Sequence, residues 1–147
     1  MKEAILVIDV GTSKLHANII DIQNGEILLS RTELFRWSHP QEGWSEVDAN
    51  SEWEGAQNAV ASIIESSKGK VELIALALST IGAGLLFLDK HGDPVGNMIL
   101  AQDGRAKNEG QEIFEGLAQK NSAYKHFGPR AIGGMLPAAK VLWFIKN

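Results

Sequence analysis

The residues with the most chemical potential stand near the amino terminus. Asp9-Val10-Gly11-Thr12-Ser13 closes one aliphatic run and precedes another. A glycine in so tight a turn lets backbone N–H groups come close to an anion, and Thr12 and Ser13 add hydroxyl donors. A carboxylate at a strand end, here Asp9, can hold a divalent cation or its waters against nucleotide phosphates. The chemistry these residues suit is phosphate binding beside a metal ion. They equally make an ordinary hairpin turn, and Asp-x-Gly-Thr alone does not separate the two. Gly82-Ala83-Gly84 does not form a dinucleotide loop, because strand-like residues 85–88 follow where a helix is required. There is no Walker A sequence. His16, His39, His91 and His126 are scattered without His-Glu-x-x-His spacing, which reads as surface or loop histidines and not as a zinc site.

The turn at residues 10–13 must be held by strands. Residues 4–9 are aliphatic, residues 15–22 alternate well enough to pair with them, and an Asn-Gly signal at residues 24–25 leads into a third strand over 27–35. A three-stranded meander is predicted. Residues 37–47 read as a loop, followed by a helix for which Asp48, Asn50 and Ser51 are candidate N-caps, with Ser51 and Glu54 as a capping-box pair. Trp53, Ala56, Val60, Ile63 and Ile64 fall on its apolar face, and Trp44 and Trp53 read as a packed lid over the core. Residues 66–70 end the helix. Residues 71–78 then form a near-continuous apolar strand of the kind buried on both faces, and reaching it through a helix predicts a crossover and a mixed sheet. A hairpin over 85–88 and 95–100, a helix over 106–119 with Ile113, Phe114 and Leu117 inward, a loop over 121–132, and a last helix opened by Pro137 with Val141, Leu142 and Ile145 inward complete the chain.

Composition limits the partners. The 147 residues suit one domain with a single core and are short for a two-domain enzyme. The formal charge of -4 leaves no basic field for nucleic acid or an anionic membrane surface. The absence of cysteine excludes disulfides, thiolate metal sites and cysteine nucleophiles, and the start resembles no signal peptide, so the expected location is cytoplasmic. Residues 73–88 carry no charge, but Gly82 and Gly84 interrupt them, which predicts two strands and a bend and not a membrane helix.

Several segments, in order, resemble those of the FGGY carbohydrate kinases. The hairpin Ile8-Asp9-Val10-Gly11-Thr12-Ser13 with Asp21 and Gly25 is similar to the family's amino-terminal phosphate hairpin. Gly43-Trp44-Ser45-Glu46-Val47-Asp48 leading to Trp53 is similar to the stretch before its first helix. Leu76-Ala77-Leu78-Ser79 with Gly84, Leu88-Asp89 and Gly92 resembles the central strand and following hairpin. Residues 99–106, with Asp103 and Arg105, resemble the segment that usually reads Trp-x-Asp-x-Arg, and residues 137–143 resemble a Lys-x-x-Trp helix near the substrate.

The resemblance implies an α/β fold of the ribonuclease-H-like type found in actin, Hsp70 and the sugar kinases, with a mixed sheet and flanking helices. Residues 1–147 would be a single domain, a partial amino-terminal kinase domain, with the carboxy-terminal nucleotide domain missing. It implies transfer of the γ-phosphoryl of ATP, with Mg2+, to a sugar or polyol hydroxyl. Asp9 would organise Mg2+, Gly11, Thr12 and Ser13 would face the phosphates, Asp103 would bind a substrate hydroxyl, and Arg105 would hold local structure or charge balance. The catalytic base is expected beyond residue 147. At the remaining substrate-binding positions the chain departs from the family: Ile81-Gly82-Ala83 replaces a Gln and two larger sugar-contacting side chains, and Ala101 replaces the Trp, so the pocket would be differently lined. Met135 falls where some members place a substrate-facing aromatic, with packing an equal alternative. A ribonuclease-H-like nuclease is disfavoured, since residues 79–80 are Ser-Thr and offer no second carboxylate. A non-catalytic nucleotide- or sugar-binding half-domain, pairing with itself as a homodimer or with its missing half, is the other alternative.

Overall fold

The computed structural model describes residues 1–122 and 134–147. Most of the loop expected over 121–132, and His126 with it, lies outside the described residues. In chain order the elements are β1 (Lys2–Val10), β2 (Lys14–Asp21), β3 (Ile27–Leu34), β4 (Trp37–Ser38), β5 (Glu46–Val47), α1 (Ala49–Ser67), β6 (Val71–Thr80), β7 (Met98–Ile99), α2 (Lys107–Lys120) and α3 (Pro137–Lys146). They form two compact units, Met1–Arg36 with Ala49–Ile81, and Trp37–Asp48 with Gly82–Asn147.

The first unit is a four-stranded sheet in the order β3-β2-β1-β6, with β1 antiparallel to β2 and parallel to β6. The predicted meander, crossover helix and mixed sheet are all present. Strict alternation in β2 explains the core: Leu15, Ala17 and Ile19 are fully buried, while His16, Asn18 and Ile20 occupy the opposite face. Ala4 and Leu6 of β1 join them, and α1 covers this face with Ala59 and Ile63. The β2–β3 turn is fixed by Asp21, whose carboxylate accepts the Gln23 N–H at 2.9 Å, and by Gly25 at φ +75°.

Of the expected helix face, Ile63 is buried and Ala56 and Val60 pack against the core, while Trp53 and Ile64 do not. Gly55, Ala59, Ile63 and Ser67, spaced four apart, form the buried stripe of α1. A Cβ on Gly55 would stand 2.8 Å from Cγ of Glu33 on β3, so the small residue sets how closely helix and sheet approach. Trp53 lies two residues, about 200°, around the helix from Gly55, and it is 65% exposed and no lid. Ile64 also turns outward. The Ser51–Glu54 pair falls inside α1, whose first residue is Ala49. Nor is β6 buried on both faces: α1 packs on β2 and β3, and Ile74, Leu76 and Leu78 are at least half exposed.

In the second unit, the stretch expected as loop supplies β4 and β5, which join β7 in a three-stranded antiparallel sheet. Strands of two residues leave no periodicity to read. The hairpin over 85–99 is present, closed by Leu85 N–H to the Ile99 carbonyl (2.9 Å) and the reciprocal bond (2.8 Å). Helices α2 and α3 pack together. On α3 the buried residues are Ala139 and Lys140, whereas Val141 and Ile145 face outward, reversing the expected stripe. Residues 73–88 end β6 and begin the hairpin, and no helix among the described residues is long and apolar enough to cross a membrane.

The buried and exposed neighbours on α1 give a direct test. Ile63→Ala should cost about 2–5 kcal/mol in denaturant unfolding and Ile64→Ala under about 1 kcal/mol. Equal losses would contradict the orientation of α1.

Candidate functional site

The amino-terminal turn is a tight hairpin. Val10 pairs with Leu15, and Gly11 donates its N–H to the Lys14 carbonyl at 2.9 Å. A Cβ at Gly11 would stand 3.1 Å from that carbonyl oxygen, a tight contact that would make the Lys14 carbonyl give by a few tenths of an ångström. Its amide is thereby spent within the hairpin. Gly11, Thr12 and Ser13, the residues expected to face phosphate, all lie in this turn, and the Gly11 N–H is engaged by the Lys14 carbonyl. The Ser13 carbonyl accepts the Phe35 N–H at 2.9 Å, which ties the turn to the end of β3.

Register then places what periodicity alone did not. Asp9 is opposite His16 on β2 and Ser79 on β6, and His16 is opposite Thr32 on β3. Because His16 alternates with the buried Leu15 and Ala17, this row lies on the sheet face away from α1. The carboxylate of Asp9 is exposed at the carboxy end of its strand. His16 Nδ1 and Thr32 Oγ1 are hydrogen-bonded at 2.9 Å, which fixes the ring beside Asp9. His16, read as a surface histidine, belongs to this row; counting equal steps outward from the turn would have found it.

In the second unit Asp103 and Arg105 are together as a buried ion pair. Asp103 is 1% exposed. Its Oδ2 accepts the Ser45 N–H (2.6 Å) and Arg105 Nη2 (2.8 Å), and its Oδ1 accepts the Arg105 N–H (2.9 Å) and Nε (2.8 Å). These four bonds use the four acceptor positions of a carboxylate. Within this chain Ser45 and Arg105 therefore occupy all four acceptor positions of Asp103. Arg105 does hold local structure and charge: Nη2 also reaches Glu46 Oε1 at 2.5 Å, and the guanidinium lies 3.8 Å from the Trp44 ring centroid. Trp143 packs edge-on against Trp44 at 5.4 Å. Asn97 donates to the other Glu46 oxygen at 2.9 Å.

Burial by itself would raise the Asp103 pKa, but hydrogen bonds from Arg105 and Ser45 and the guanidinium charge outweigh it and hold the group below the usual aspartate range. Burial likewise opposes the charge on Arg105, and Asp103 and Glu46 more than restore it. Lys140, fully buried on α3, donates to the carbonyls of Ala83 (3.0 Å) and Leu100 (2.7 Å). Glu46, Asp103, Arg105 and Lys140 thus form a cluster of two anions and two cations. Glu46 stands in the segment over 43–48 and Lys140 is the lysine of the Lys-x-x-Trp segment, but sequence alone assigns neither a partner, since both pairings are tertiary.

Gly82 is exposed, and a Cβ there would meet nothing within 4 Å. Ala83 is the sole non-glycine residue with positive φ (60°) among those described. Met135 is 53% exposed. A cavity of about 120 Å³ adjoins Glu46, Asn97, Arg105, Phe87 and Trp143, well under the roughly 300 Å³ at which ligand pockets begin. Among the described residues no group of three or more His, Asp or Glu could by itself hold a metal ion.

The buried pair makes a stability prediction. Asp103→Asn should cost roughly 3–5 kcal/mol at neutral pH by leaving Arg105 incompletely paired. A folded-state pKa below the unfolded value stabilises the protein above about pH 4 and loses that stabilisation as pH falls through the lowered value. The difference between wild type and variant in urea unfolding should therefore shrink below about pH 4; a difference independent of pH would contradict the assignment.

Known proteins similar to this chain are carbohydrate kinases. L-xylulose/3-keto-L-gulonate kinase of Escherichia coli is 33% identical over 107 residues, covering 72% of this chain and 21% of that protein. The solved ligand-bound xylulose kinase of Lactobacillus acidophilus superposes with a TM-score of 0.77 at 22% identity, covering 99% of this chain and 28% of the other. Glycerol kinase of Plasmodium falciparum, solved with ADP, gives 0.80 at 20% identity, covering 99% and 29%. These likenesses establish the expected fold, that of the sugar kinases of the actin and Hsp70 type. The chain spans less than a third of the length of each of these relatives. Residues 4–147 match the N-terminal domain of the FGGY family of carbohydrate kinases, and the chain belongs to that family.

Proposed function

We propose that this chain is the amino-terminal portion of an ATP-dependent kinase acting on a hydroxyl of a sugar or polyol. The observation that carries this reading is the family match over residues 4–147 together with an exposed Asp9 beside the Gly11–Ser13 turn. Thr12 and Ser13 bind the nucleotide phosphates, and Gly11 keeps the hairpin tight enough to present them. Asp9 holds Mg2+ in company with phosphate oxygens and water. The lack of an all-protein cage among the described residues suits an ion that takes one or two carboxylates and keeps its waters. When bound, Mg2+ supplies neutralisation of charge on the transferring phosphoryl group. The ADP held by the glycerol kinase relative supports the nucleotide.

On the acceptor side, Gly82 and Ala83 offer backbone where larger side chains are usual in the family, and Asp103 with Arg105 forms the frame behind them. The base that takes the hydroxyl proton, and a second nucleotide domain, come from sequence outside residues 1–147. Two observations support this: the chain spans under a third of its relatives, and Leu76 and Leu78 on β6 expose apolar surface that further chain would cover. We favour that missing half over a second copy as the partner of residues 1–147.

The test uses the complete gene product with MgATP and a panel of ketoses and polyols. Asp9→Asn should lower turnover more than about 100-fold with the unfolding midpoint unchanged. Undiminished turnover rejects the metal role, and nucleotide binding without turnover of any acceptor by wild type favours the non-catalytic reading.

A further inference from the structure

Lys140 has the largest fully buried side chain among the described residues. No carboxylate among them stands within ion-pair distance of its Nζ, and it donates instead to two carbonyls far apart in sequence, Ala83 at 3.0 Å and Leu100 at 2.7 Å. An ammonium buried on carbonyls alone is costly, because dipoles replace its water less well than a counter-ion would. Ala83 carries a cost of its own: at φ 60° it holds the left-handed conformation that suits glycine. Such a backbone persists only where its surroundings over-determine it. The ammonium supplies that constraint, since turning Ala83 out of the left-handed region would swing its carbonyl off Nζ.

We propose that Lys140 is a positioning residue for the acceptor site, locking the Gly82–Ala83 turn to the strand end at Leu100 through the two carbonyls. With no large side chain at either position, the backbone itself must present polar groups to the acceptor, and its conformation sets selectivity. The role rests on the acceptor-site reading above; the lock does not. Asp103 and Arg105, the charged groups acting on Lys140, oppose one another there, the first favouring and the second disfavouring its ammonium form, while burial lowers its pKa. Among the described residues the carbonyls of Ala83 and Leu100 are its hydrogen-bond partners.

The experiment compares wild type, Lys140→Met and Lys140→Met with Ala83→Gly in the complete gene product. Amide exchange is read at Leu85 and Ile99, whose N–H groups close the hairpin beside the turn, and KM is read separately for acceptor and MgATP. Lys140→Met should speed exchange about tenfold and raise the acceptor KM about tenfold with the MgATP KM unchanged. Adding Ala83→Gly should return the acceptor KM toward wild type, because glycine takes φ 60° without strain. Exchange and acceptor KM both unchanged overturn the proposal. Faster exchange with an unmoved acceptor KM overturns the positioning role and leaves the kinase reading standing. If wild type phosphorylates no acceptor, the kinase reading and the acceptor role fall together, and exchange alone decides the lock. Should Lys140→Met not fold, Lys140→Gln, which shortens the reach and removes the charge, carries the same measurements with the same expected directions.

Discussion

A guanidinium buried against two carboxylates and a tryptophan face is the constraint around which the second unit is built. Arg105 satisfies Asp103 along one edge, reaches Glu46 with the same Nη2, and lies over Trp44. The partners come from two parts of the chain: Trp44, Ser45 and Glu46 precede α1, and Asp103 and Arg105 follow the hairpin. Burying these charges is tolerable only because every carboxylate lone pair of Asp103 is used and the charges of the cluster cancel. Specific geometry is the return on that cost. A guanidinium that must meet two carboxylates and a ring face has few placements, so β5, β7 and the start of α2 are held in one arrangement.

The first unit depends on a different physics. Alternation in β2 divides the sheet into an apolar face under α1 and a face carrying Thr32, His16, Asp9 and Ser79 in a row. A register slip of one residue would exchange the faces, burying Asp9 and exposing Leu15. The hairpin that closes tightly at Gly11 is therefore what keeps the carboxylate outside, quite apart from anything its amides could bind.

Much of this was legible in the sequence. The meander and the crossover follow from alternation and turn residues, which are local, and the family resemblance agreed with them. The apolar pattern of α1 finds Ala56, Val60 and Ile63 on the core side but also includes the exposed Trp53 and Ile64 and passes over Gly55 and Ala59, which carry little hydrophobic signal. β6 was misread because an apolar run predicts burial, and this strand has one neighbour and no helix over it among the described residues. Two-residue strands carry no pattern at all. The motif around Asp103 shows Arg105 two residues away but not Ser45, 58 residues distant, whose amide also bonds its carboxylate.

In the function proposed above, Asp103, saturated by Ser45 and Arg105, frames the acceptor site without touching the acceptor. The most direct measurement is a crystal structure of the complete enzyme with a bound acceptor and an unreactive ATP analogue. The account predicts that Asp103 still accepts its bonds from Ser45 and Arg105, with every acceptor hydroxyl more than about 3.5 Å from its oxygens. A hydroxyl hydrogen-bonded to Asp103, with Arg105 or Ser45 displaced to admit it, would contradict the claim.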